Sequence, residues 1–141
     1  MNTLNFLKIA LKDPKVAAVS ESSLWAVRRV IELLPKDTRC VVEYGPGTGV
    51  MTQRILRDLP KDGKLTAIEL NKELFRALGN IHDSRFEPVL GDVLDWTKRF
   101  ADEKADSVDA VVSTIPFSFL NVRERRALIE RTAHMLRPGG R

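Results

Sequence analysis

Hydrophobic positions along the chain alternate between two patterns. Short runs of consecutive apolar residues, each closed by an acid or a hydroxyl, are separated by stretches where apolar residues recur every three or four positions. The runs read as buried strands and the spaced stretches as amphipathic helices. Cys40 to Val42, Lys64 to Leu70, Phe86 to Asp92 and Asp109 to Thr114 are the predicted strands. Helices are predicted over Thr3–Lys12, Leu24–Leu34, Val50–Leu59, Lys72 to about Asn80 and Val122–Leu136, with a short one opening at Asp95-Trp96. Asp13-Pro14 and Pro35 end the first two, Ser20 to Ser23 offer caps, and Pro138-Gly139-Gly140 stops the last. This alternation implies βαβ units, hence an α/β fold with a parallel sheet and helices on both faces.

In such a sheet, ligands sit beyond the carboxyl ends of the strands. Glu43, Glu69, Asp92 and the loop Ser113-Thr114-Ile115-Pro116-Phe117 are all expected at that rim. Between the first strand and its helix lies Glu43-Tyr44-Gly45-Pro46-Gly47-Thr48-Gly49. A strand running through glycines into a helix leaves backbone N–H groups facing an anion, and glycine lets a ligand approach the backbone closely. The spacing G-x-G-x-G is neither the dinucleotide fingerprint nor a P-loop, which would end in Lys-Ser/Thr. A tight turn without ligand is the plainer alternative.

Composition narrows the picture modestly. The 141 residues allow one domain; 43% are hydrophobic and 30% charged, as in soluble globular proteins. A net charge of +4 permits anionic partners without choosing among them. The single cysteine, Cys40, fits a reducing compartment, so a cytoplasmic location is expected, with no membrane span or signal peptide. His82 and His134 read as surface residues, and no His/Cys cluster suggests a metal. Trp25 and Trp96 read as packing residues.

The glycine stretch, with Glu43 before it and Glu69 twenty residues after Gly49, resembles motif I and its partner acid in class I S-adenosylmethionine-dependent methyltransferases. The resemblance covers about Arg39 to the end of the chain, and implies a Rossmann-like domain over 39–141 behind a helical segment, 1–38. It implies that Glu43, Gly45, Gly47, Gly49, Glu69, Leu70, Asn71, Asp92, Val93 and Ser113 hold S-adenosyl-L-methionine. Glu69 would serve the ribose hydroxyls and Asp92 the adenine amino group, with Leu70, Asn71 and Val93 as walls. Thr114, Pro116, Phe117 and Tyr44 would orient the acceptor. Solvated helix-capping carboxylates are the alternative for the acids.

Two subfamilies are similar. Ser113 to Phe117 resembles the Asn-Leu-Pro-Tyr motif of ribosomal RNA adenine dimethyltransferases, with Thr114 where that family has Asn. The run Phe6 to Lys15, the Ser22-Ser23 pair and Ile115-Pro116-Phe117-Ser118 resemble bacterial phospholipid N-methyltransferases more closely. That resemblance implies methylation of a phospholipid headgroup amine of the phosphatidylethanolamine type, with residues 3–15 lying on an anionic membrane. Nucleic acid is the alternative acceptor, weakly supported by the arginines after Val122. A non-catalytic cofactor-binding fragment is a third reading. A complete class I domain has seven strands, so this chain is expected to be truncated after the fourth strand and its helix. A homodimer through the exposed sheet edge would then cover the gap.

Overall fold

The computed structural model describes residues 21–141, with side chains from Trp25 onward. The expected helix Thr3–Lys12 and the cap candidate Ser20 lie outside the described residues. Helix α1 (Glu21–Leu33) leads into β1 (Cys40–Tyr44), α2 (Val50–Asp58), β2 (Lys64–Glu69), α3 (Lys72–Leu78) and β3 (Phe86–Leu90). Then follow α4 (Val93–Phe100), β4 (Ala110–Ser113), a 3-10 turn (Phe117–Phe119) and α5 (Val122–Met135).

All four strands are parallel, in the order β3-β2-β1-β4. The chain therefore reverses its winding between β1 and β4, and a crevice opens where their following segments diverge to opposite faces. Strand parity divides the core. Val42, Tyr44 and Ile68 point to one face, against Trp96 of α4 and Leu128 and Met135 of α5. Val41, Leu65, Ala110 and Val112 point to the other, against Met51, Ile55 and Leu56 of α2. Val27, Val30 and Ile31 of α1 pack on this second cluster, so α1 shares the core of the sheet. Each fully buried aliphatic such as Ile55 or Leu65 contributes about 1.5–3 kcal/mol.

Three local expectations are corrected. Helix α4 begins at Val93 rather than Asp95, because Asp92 is its cap: the Leu94 N–H donates to Asp92 Oδ1 at 2.7 Å. Strand β3 accordingly stops at Leu90, where the Gly91 N–H donates to the Glu69 carbonyl at 2.9 Å. Trp25 is 69% exposed and packs neither core nor cleft, whereas Trp96 is buried as expected.

At the opposite end of the sheet, Asp109 ties three segments together. Its Oδ2 accepts from the Arg39 and Cys40 N–H groups, both at 2.7 Å, and its Oδ1 accepts from Arg137. Beyond the turn at Pro138-Gly139-Gly140, the Arg141 N–H donates to the Asp109 carbonyl and the Val111 N–H donates to the Arg141 carbonyl. Arg141 therefore lies along the free side of β4. No described strand pairs with β4 there.

Candidate functional site

The crevice between the ends of β1 and β4 is a cleft of about 410 Å³, within the range of small-molecule sites. Its floor is the glycine loop. Gly45, Gly47 and Gly49 all have positive φ, and two of them show why glycine is required. A Cβ on Gly47 would meet nothing within 4 Å, so this position is left open on the cleft side. A Cβ on Gly49 would come within 3.0 Å of Ile81 and 3.1 Å of Leu78, which explains glycine at the packed start of α2.

Helix α2 has no side-chain cap, since Gly49 occupies the capping position. By contrast α3 is capped by Asn71, whose Oδ1 accepts from Glu73 and Leu74, and α4 by Asp92. A nine-residue helix that opens on a glycine loop without a capping side chain suits an anionic ligand group at its N-terminus.

Glu69, at the end of β2, is 5% exposed and holds the loop in place. Its Oε2 accepts from the Gly47 N–H at 3.0 Å and its Oε1 from the Asn71 N–H at 2.8 Å. Each oxygen has taken one hydrogen bond and can accept another, the capacity a carboxylate serving a diol requires, and Glu69 lines the cleft. Glu43 lies on the α2 face of β1 and is fully buried. Thr52 donates to its Oε2 at 2.7 Å, while Oε1 has no partner. Burial pushes the Glu43 carboxyl up to about 7, with Thr52 opposing the shift and the Glu69 charge adding to it.

Of the residues expected at the site, Gly45, Gly47, Glu69, Leu70, Asp92, Val93, Thr114 and Pro116 line the cleft. Leu70 is 53% exposed, an apolar wall that a flat ligand would cover. Thr114 donates its hydroxyl to the Gly45 carbonyl, tying the β4 loop to the glycine loop. Glu43, Gly49 and Asn71 support the cleft without lining it.

Tyr44, Ser113 and Phe117 are corrections. Tyr44 is 2% exposed on the α5 side of the sheet, and its hydroxyl hydrogen-bonds Thr132 Oγ1 at 2.9 Å. Loss of water pushes that phenol up to about 12, with the Thr132 hydrogen bond opposing. Ser113 and Phe117 line a separate apolar groove of about 250 Å³ beside Tyr44. Parity is the reason: Tyr44 follows Val42 by two residues and shares its face. The aromatic ring at the cleft belongs instead to Phe119. Ile115, within the loop expected at this rim, also lines this side, as do Leu120 and Glu124, which the sequence reading missed. Only the path of the loop between β4 and α5 brings them in.

Geometry of this kind defines a class: a parallel α/β domain whose first strand–helix turn and second-strand acid frame a nucleoside-sized cleft. Residues 41–140 match the family described as methyltransferase domain, and the chain belongs to the S-adenosylmethionine-dependent methyltransferases. It is 30% identical over 128 residues to an ornithine lipid N-methyltransferase of Singulisphaera acidiphila, an alignment spanning 89% of this chain and 67% of that protein. It is 36% identical over 104 residues to the ribosomal RNA small subunit methyltransferase A of Synechococcus elongatus, spanning 70% of this chain and 36% of the relative. The solved DhpI–SAM–HEP complex superposes with a TM-score of 0.65 at 24% identity, over 86% of this chain and 52% of that one. The chain thus spans about half the length of that structure and a third of the ribosomal relative. The open Gly47 position, the paired donors on Glu69 and the uncapped start of α2 fit the cofactor of this family.

Proposed function

We propose that the chain forms the cofactor-binding part of an N-methyltransferase acting on a lipid headgroup amine. The observation carrying this reading is the extent of likeness. The match to the ornithine lipid enzyme runs over 89% of the chain, against 70% for the Synechococcus elongatus ribosomal RNA enzyme. Thr114 adds support, since a hydroxyl held by the Gly45 carbonyl is not the fixed amide expected for gripping an adenine amino group.

Gly45, Gly47 and the first turn of α2 would hold the methionine part of the cofactor, Glu69 the ribose, and Asp92, Leu70 and Val93 the adenine. When bound, the cofactor supplies an electrophilic methyl group on a positively charged sulfur. The protein's task is then to place an acceptor nitrogen in line and keep the site dry. Thr114, Ile115 and Pro116 form the wall that meets the acceptor. The N-terminal residues 3–15 would rest on an anionic bilayer from the cytoplasmic side. No helix among the described residues is long and apolar enough to cross a membrane. The apolar groove beside Phe117 and the free side of β4 would be covered by a further polypeptide segment, as in a homodimer. Sedimentation of a well-folded monomer would remove the homodimer.

The acceptor is tested by offering radiolabelled cofactor with phosphatidylethanolamine or ornithine-lipid vesicles in one arm and ribosomal RNA in the other. Label in extracted lipid is expected. Label confined to RNA would replace this reading with adenine methylation.

A further inference from the structure

Among the described residues, three charged side chains line the cleft, Glu69, Asp92 and Glu124, and no lysine, arginine or histidine does. This is unusual for a chain carrying a net charge of +4. Two of these carboxylates belong to the cofactor half. Glu124 stands apart, on the first turn of α5, beside Phe119 and Leu120 on the wall that follows β4.

Its position is fixed. Asn121 and Glu124 form a reciprocal capping box: the Asn121 N–H donates to Glu124 Oε2 at 2.8 Å, and the Glu124 N–H donates to Asn121 Oδ1 at 3.0 Å. Only Oε2 is occupied by that contact, so Oε1 remains for a ligand. Of the arginines of α5, Arg125 donates to the Leu120 carbonyl, Arg126 pairs with Glu130 and Arg131 donates to the Leu94 carbonyl, while the exposed Arg123 beside Glu124 does not line the cleft.

We propose that Glu124 is the counter-charge for the acceptor nitrogen, which makes the acceptor an alkyl amine and not a nucleobase. The inference rests on the amine reading above and names the residue that recognises it. An alkyl amine arrives protonated, and its ammonium is drawn toward a cleft whose described charged residues are all acidic. The amine must then lose one proton to solvent at the open mouth. In the transfer itself the nitrogen lone pair forms the N–C bond as the C–S bond breaks, with that electron pair staying on sulfur. The positive charge thereby passes from sulfur to nitrogen. A carboxylate on the nitrogen side stabilises the transition state more than the ground state. An adenine amino group, neutral on arrival, would gain nothing from the first of these effects.

The test uses the full chain and two readouts. In calorimetry with S-adenosylhomocysteine present, a short-chain phosphatidylethanolamine is expected to bind wild type at least tenfold more tightly than Glu124→Gln. Cofactor-product affinity should be equal in the two proteins. Glutamine retains an oxygen for the Asn121 N–H, and matched thermal melts would verify that the capping box survives. Glu130→Gln, which removes the same charge from the exposed side of α5, should bind like wild type. In the methylation assay Glu124→Gln should lower kcat/KM for the lipid at least tenfold. Lipid methylation and binding unchanged by Glu124→Gln would overturn the inference alone, leaving the amine reading intact. Absence of wild-type binding would also overturn it, and methylation of RNA only would remove both readings together.

Discussion

Thr52 donates a 2.7 Å hydrogen bond to Oε2 of Glu43, and the other oxygen of that carboxylate is buried with no partner. A charge in this position is costly, and burial holds the carboxyl near 7 instead of 4.5. The native state therefore keeps a proton that the unfolded chain has released. The stabilising effect is fully present below about 4.5 and is lost as pH rises through 7. A shift of this size corresponds to about 3 kcal/mol. Glu43→Gln should flatten the stability curve between pH 5 and 8, and at pH 8 should exceed wild type. Urea unfolding at the two pH values measures it; a wild-type curve with no decline over this window would refute the assignment.

Asp109 shows the opposite sign. Burial raises its carboxyl, but the Cys40 and Arg39 N–H groups and the Arg137 guanidinium together outweigh that and leave it lowered. Its stabilisation is present above the ordinary value of 3.8 and is lost as pH falls through the lowered one. Asp109→Asn cannot accept from all three donors and should cost about 1–3 kcal/mol at pH 7. The loss should shrink as pH falls below the ordinary value of 3.8 and through the lowered one, where wild type also loses the charge. Chemical denaturation across this range reads both effects.

Much of this architecture was legible in the order of residues. Apolar runs ending in Glu69 and in Ser113 marked strands correctly because parallel strands are buried on both faces, and the glycine spacing marked the crevice. Side-chain direction was harder. Tyr44 sits one residue before Gly45, yet pleating sends it to the α5 face; the parity with Val42 would have revealed this. Asp92 looked like a strand end because the apolar run reaches Leu90, while its side chain caps α4. Glu124 gave no local signal at all, since its place in the cleft depends on how residues 114–121 cross from β4 to α5.

The two glycines at the ends of the loop's tight stretch should respond differently to alanine. Both have positive φ, so each substitution carries a backbone penalty of about 1–2 kcal/mol. At Gly47 the added methyl enters open space on the cleft side, so folding survives and S-adenosylhomocysteine affinity falls. At Gly49 it presses on Ile81 and Leu78, so the melting temperature should fall further. Equal melting temperatures in the two variants would contradict the packing.

Asp92 combines two roles that one pair of substitutions separates. As the cap of α4 it accepts from the Leu94 N–H at 2.7 Å, and losing a cap costs about 0.5–2 kcal/mol. Alanine removes both the cap and the carboxylate, so Asp92→Ala should be less stable and bind S-adenosylhomocysteine at least tenfold more weakly. Asparagine keeps an oxygen for Leu94, so Asp92→Asn should melt like wild type. Its remaining group toward the cleft is then an amide that can present N–H where the carboxylate presented an acceptor. A ligand amino group held by Asp92 would meet a donor in place of an acceptor, and affinity should fall nearly as far as in the alanine variant. Calorimetry on both variants, each paired with a melt, decides the matter. Wild-type affinity in Asp92→Asn would mean that Asp92 serves the helix alone, and that the adenine end of the cofactor is recognised by the apolar walls Leu70 and Val93.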